Sequence, residues 1–367
     1  MYAGLAISIW LPLFYGSLVL RTAFMPLDWH VHEMLYGYLP AVVTGFLLTA
    51  IPNWTGRLPL QGRPLVFLLA VWIAGRLCVL VSAEIGWLAA AIIDSGFLFL
   101  VVAAAAREIM AGRNWSNLKV LLPLSALGLG NLGFHIEAHV RGTADYSVRI
   151  GIAAVLVLVM LIGGRIIPSF TRNWLVRENP GRLPASFSRM DVISIALSAT
   201  ALLLWTIVPY GPATAILLAM AAAMQTARLA RWAGDRTWRD RLVLILHVGY
   251  GFVPLGFGLC ALGAAGLVAQ SAGLHAWMAG AAGLMTLAVM TRASLGHTGR
   301  ELKASFSTQC IYAFAFIAAV ARICAALNPT WSQPLVGIAA LAWIAAFLGF
   351  GIVYAPILVR PKKSQTG

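Results

Sequence analysis

Apolar runs of about 18 to 24 residues recur from one end of this chain to the other, each long enough to cross roughly 30 Å of hydrocarbon as a helix. Composition removes the alternative of a long soluble protein. Of 367 residues, 60% are hydrophobic and only 10% are charged, against about a quarter charged in an ordinary soluble domain, too few to coat a globule in water. The expected fold is an all-α polytopic transmembrane bundle of about twelve helices, one integral membrane domain over residues 1–367.

The expected spans are 3–20, 30–51, 64–82, 86–105, 118–140, 147–168, 190–209, 212–232, 242–265, 271–294, 307–326 and 334–358. The longest connection, 169–189, is rich in Pro, Arg and Asn and separates possible halves 1–168 and 190–358, between which no clear sequence match is visible. Lys and Arg hold a loop on the cytoplasmic side. Nineteen of them sit in the even-numbered loops and the tail, from Arg57 and Arg63 to Arg360, Lys362 and Lys363, while only Arg21, Arg141 and Arg149 sit in the odd loops. Both termini are therefore expected in the cytoplasm. The same distribution explains the net charge of +14 without nucleic acid, because the basic residues flank apolar runs. The first run has no basic residue before it and no small-residue cleavage site after it, so it reads as a retained helix. Cys78, Cys260, Cys310 and Cys324 all fall inside apolar runs and read as small core hydrophobes, not as a disulfide framework.

An ionisable side chain inside a span is costly against lipid and is expected to face the bundle with a partner. Arg76, near the outer end of helix 3, and Asp94, near the outer start of helix 4, lie at similar depth and are expected to pair, with a proton-relay role for Asp94 as the sharper alternative. His30, His32, His135, His139 and His275 map to the outer ends of helices 2, 5 and 10, and His247 and His297 to the inner side. Imidazoles from several helices are how bundles build haem and copper sites, though any one of them is more often a hydrogen-bonded helix-end residue. His30 and His32, two apart, point about 200° from one another. Glu33 stands beside them to orient a ring or take its proton. His135 and His139, four apart, share a face and form a pair able to bind one metal. On the inner side, Asn53, Arg165, Arg172 and Arg292 offer amide and basic groups beside glycines, as ordinary cytoplasmic loops also do.

The segments Trp29-His30-Val31-His32-Glu33-Met34, Pro52-Asn53-Trp54-Thr55-Gly56, Gly75-Arg76, Asn131-Leu132-Gly133-Phe134-His135, Arg165-Ile166-Ile167-Pro168-Ser169-Phe170-Thr171 and Gly296-His297-Thr298-Gly299-Arg300 closely resemble the NnrS family, in order from about Trp29 to Arg300. The resemblance implies a bacterial inner-membrane protein of twelve helices that binds haem and copper and serves nitric oxide metabolism and resistance to nitrosative stress. It favours His30, His32, His135, His275 and His297 for metal chemistry, with Glu33 and Arg76 in support and Asn53, Arg165, Arg172 and Arg292 as groups for the cofactor. His139 and His247 rest on their positions alone. The chain departs from the family pattern at its start, where members usually open with a Phe-Arg-Pro stretch.

Nitric oxide or a related small ligand is then the expected partner, alongside membrane lipid; the sequence names no electron donor and leaves open whether the chain is an enzyme. Two other classes compete. A transporter of a small molecule or metal would carry helix breaks at corresponding places in both halves, and Pro123 and Pro254 do not form such a pair. A sensor or assembly factor would bind haem without turnover. The leading reading predicts that His30 or His32 lies within metal-bridging reach of His135 and His275.

Overall fold

In hydrocarbon a backbone N–H or C=O finds no water, so a spanning segment of this length satisfies its own polar groups by coiling into a helix. The computed structural model describes residues 1–359, and among these there is no strand. The basic tail residues Arg360, Lys362 and Lys363 lie outside the described residues. Among the described residues eleven helices are long and apolar enough to cross a membrane, and a shorter one precedes them. In chain order they are α1 (Tyr2–Phe14), α2 (Pro26–Thr55), α3 (Arg63–Leu80), α4 (Trp87–Ala111), α5 (Trp115–Arg141), α6 (Asp145–Glu178), α7 (Arg189–Ile207), α8 (Pro212–Ala230), α9 (Arg241–Ala264), α10 (Gln270–His297), α11 (Phe306–Leu327) and α12 (Pro329–Val359).

Two expectations need correction. The first span, drawn over 3–20, is a helix of only 13 residues, about 20 Å long at 1.5 Å per residue and short of the hydrocarbon thickness. The chain leaves the helix at Gly16, whose φ of 74° lies in the left-handed region. The backbone N–H groups of Ser17 and Leu18 then turn back to the Pro12 carbonyl. The sixth span was expected to stop at Pro168, with a loop over 169–189. Instead α6 runs through Pro168 to Glu178, 34 residues in all. A proline removes one helical hydrogen bond, which the turns on either side outweigh. The true connection is 179–188. Arg236 holds it by donating to the backbone carbonyls of Asn179, Pro180 and Arg182, and Arg182 pairs with Asp235. Ser188 and Asp191 close it with reciprocal capping bonds at the start of α7.

Among the described residues the chain forms two compact units, residues 6–158 and residues 1–5 with 159–359, which divide within α6. In the first unit, α4 packs against α2, α3 and α5. In the second, α8 lies against α7 and α9, α9 against α10, and α11 against α10 and α12; the start of the chain is tied to α12 by the bond from Trp343 Nε1 to the Ala3 carbonyl, 3.1 Å.

The second unit carries a fully buried arginine. Arg228 donates from Nε to Asp191 Oδ1 at 3.0 Å and from Nη1 to the Met160 carbonyl and the Tyr250 hydroxyl at 3.1 and 2.8 Å. Its guanidinium occupies the space that a β-carbon on Gly164 would need. Gly164→Ala is therefore expected to break this network and destabilise the protein by roughly 3 kcal/mol. Thermal unfolding in detergent checks this, with Gly258→Ala as the control, since a β-carbon there meets nothing within 4 Å.

A buried histidine–carboxylate cluster as candidate metal centre

The local fold around His32 starts with a proline. Pro26 opens α2 at a position where its missing N–H costs nothing, and the first turns carry Trp29, His30 and His32. Immediately after His32, residues Glu33–Tyr38 widen into a π turn, a departure from α geometry found mostly at functional sites. The wider turn keeps His32, Glu33 and Tyr36 all buried, and Trp72 Nε1 donates to the carbonyl of Gly37 within it at 2.9 Å.

Two glycines let charged groups approach. A β-carbon on Gly37 would stand 2.5 Å from Arg76 Nη1 and 3.0 Å from Glu33 Oε2, and one on Gly75 would stand 2.9 Å from Asp94 Oδ1. The guanidinium of Arg76 thus reaches Glu33 Oε1 at 2.8 Å and pairs with Asp94 across the α3–α4 hairpin. The expected Arg76–Asp94 pair is present, and Glu33 is a second carboxylate on the same cation.

His32 and His135 complete the cluster. His32 Nε2 lies 3.0 Å from Asn131 Oδ1 and 3.1 Å from Asp94 Oδ2, and its Nδ1 lies 3.1 Å from Glu33 Oε1. His135 Nε2 lies 3.0 Å from the same Asp94 Oδ2, to which Asn131 Nδ2 donates at 3.0 Å. Ligand atoms of His32, Asp94 and His135 all lie within 4.8 Å of one another. Phe24, Tyr36 and Phe134 wall the two imidazoles, with ring centroids 5.0 to 5.8 Å away, and every charged member is at most 5% exposed.

Charge decides what this cluster can do. One guanidinium faces two carboxylates, so with both imidazoles neutral the formal charge is −1. The three oxygens around His32 are all placed as acceptors, and its two nitrogens carry only one proton between them in the neutral ring. The cluster is short of one positive charge, which a proton or a metal ion supplies.

The other expected residues have contacts of their own. His30 points away from His32, as their spacing requires, and stacks on Trp10 with centroids 4.3 Å apart. His139 stacks on Trp87, so His135 finds its partners on α2 and α4, not one turn along its own helix. His275 belongs to the second unit, where its Nδ1 donates to the Ser271 carbonyl at 2.6 Å. His247 Nε2 meets Thr171 Oγ1 at 2.8 Å. His297 is exposed at the end of α10, and Asn53, Arg165 and Arg172 are exposed as well; Asn53 donates back to the Thr49 carbonyl. Arg292 lies over the ring of Phe170, 4.1 Å from its centroid. Asn131 was not singled out from the sequence, although it lies four residues before His135 and so on the same face.

A family model described as NnrS protein matches residues 1–362. The chain belongs to the NnrS family. No curated protein and no solved structure matches it. It is accordingly a multi-pass membrane protein of the NnrS family with a buried His–Asp–His site.

Arg76 is expected to be the keystone of this site. Arg76→Gln leaves two buried carboxylates without a cation and is expected to cost roughly 3–5 kcal/mol, whereas Glu33→Gln combined with Arg76→Gln removes one charge of each sign and is expected to recover part of that loss. Comparing unfolding temperatures of the two single variants and the double variant checks this.

Proposed function

We propose that this chain is a bacterial inner-membrane protein that holds copper at His32, Asp94 and His135 and serves nitric oxide metabolism and resistance to nitrosative stress. The observation that carries the reading is the convergence of two imidazole nitrogens and a carboxylate oxygen in a buried cluster one positive charge short of neutrality.

The donor set fits copper. Imidazole is among its preferred ligands, and a carboxylate beside two imidazoles also suits iron and zinc, so the metal is identified by analysis and not by geometry alone. Haem, which the resemblance also implies, does not fit this cluster. Both Nε2 atoms sit 3.0–3.1 Å from one carboxylate oxygen, and a porphyrin plane has no room between them.

Bound copper would supply a redox-active centre able to take a small diatomic or triatomic ligand. Around it the protein's own groups have distinct tasks. Arg76 fixes Asp94 and Glu33, and Glu33 orients His32 through Nδ1. Asn131 bridges His32 to Asp94, so the two move as one. The wall of Phe24, Tyr36 and Phe134 keeps bulk water from the imidazoles and strengthens every electrostatic contact inside.

Metal analysis tests the reading. Protein purified in detergent from copper-supplied, haem-sufficient cells is expected to contain about one copper per chain at this site, lost in His135→Ala and Asp94→Asn and kept in His139→Ala. An absorption spectrum taken alongside reports haem independently. Copper retained undiminished in both cluster variants would refute the assignment, and a metal-free, colourless wild-type protein would put transport of a small molecule first.

A further inference from the structure

Two helices eight apart in the chain are built to one plan. In α2, His32 is followed by a π turn, and 23 residues after His32 comes Thr55-Gly56-Arg57; in α10, His275 is followed by a π turn over Ala276–Gly283, and 23 residues after His275 comes Thr298-Gly299-Arg300. Gly56 and Gly299 adopt the same left-handed backbone, with φ of 69° and 68°, and Gly37 and Gly280 hold equivalent places in the two π turns.

The correspondence continues into the next two helices. Arg76-Leu77-Cys78 stands near the end of α3, and Arg322-Ile323-Cys324 near the end of α11. The buried positions 91, 94, 95, 97, 98 and 101 of α4 recur on α12 at 336, 339, 340, 342, 343 and 346. Arg322 is thus the counterpart of Arg76, Ala276 of Glu33, and Ala339 of Asp94. Between the two copies, α6 keeps Ile167-Pro168-Ser169-Phe170-Thr171 against Ile51-Pro52-Asn53-Trp54-Thr55 of α2. It has Val148 where the histidine would fall, and no π turn.

The later copy therefore keeps the histidine and the arginine, and has alanine at both carboxylate positions. In the first copy the Arg76 guanidinium is held by Glu33 and Asp94. Arg322 has no hydrogen bond or ion pair among the described residues, although it sits within a spanning helix, only partly exposed. The beginning of α10, with its π turn, packs against α11. A guanidinium at membrane depth without a counter-charge is costly, and its planar fork matches an oxyanion with two coplanar oxygens.

We propose that Arg322 is the centre of a binding site for a small planar oxyanion of carboxylate or nitrite type, which takes the place that the Glu33 carboxylate fills in the first copy. The site does not depend on the metal assignment, and its test reads a different quantity.

The unfolding temperature of the whole chain in detergent is measured against increasing sodium formate and sodium nitrite, with sodium chloride at matched ionic strength. A saturable rise with formate or nitrite beyond that with chloride is expected, with the apparent affinity about tenfold weaker in Arg322→Gln. Ala276→Glu builds the missing carboxylate into the chain, so it is expected to raise the basal unfolding temperature and abolish the formate response. His135→Ala is expected to leave that response intact while losing copper. Equal responses to formate and chloride, or a formate response that survives in Ala276→Glu, would overturn the proposal whether or not Arg322→Gln folds.

Discussion

The Arg76 guanidinium, held between two carboxylates inside the first unit, is the interaction on which the candidate site depends. Neither carboxylate could stay ionised at that depth without it, and it could not stay there without them. Once the three are paired, the remaining lone pairs must be met, and Asn131, His32 and His135 are what meet them. The site is therefore a charge network first. Its capacity for a metal follows from the one positive charge the network lacks.

The backbone makes the network possible by breaking its own regularity. In an unbroken α-helix, adjacent residues diverge by about 100° and cannot all point inward. The π turn after His32 lets Glu33 join the histidine, and Tyr36 anchors the same turn by donating to the Ser147 carbonyl. A second π turn follows His275 in the other unit, so the device is a repeated element of the chain and not an accident of one helix.

Much of this was legible in the sequence, and the limits have physical causes. Eleven of the twelve expected spans are spanning helices, because hydrophobic length is a strong signal. The first fell short since apolar character says nothing of where Pro12 and Gly16 end the helix. The sixth span was ended too early, at residue 168, because the polar residues that follow continue the helix beyond the apolar run. The Arg76–Asp94 pair followed from depth along an antiparallel hairpin. Depth did not say which of five histidines at one level would meet, because that depends on rotation about each helix axis. His30 and His139 accordingly found aromatic partners instead. The internal match between α2 and α10 was missed because it relates helices eight apart, not the two six-helix halves.

The two glycines beside the cluster carry a consequence for assembly. At Gly37 and Gly75 the space that any other residue would fill with its first carbon is taken by the charged groups themselves. α2, α3 and α4 cannot dock as bare helices and receive the ion pair afterwards. Their close approach and the pairing of charges belong to the same folding event, and until it occurs each helix carries its polar cargo unpaired within the bilayer.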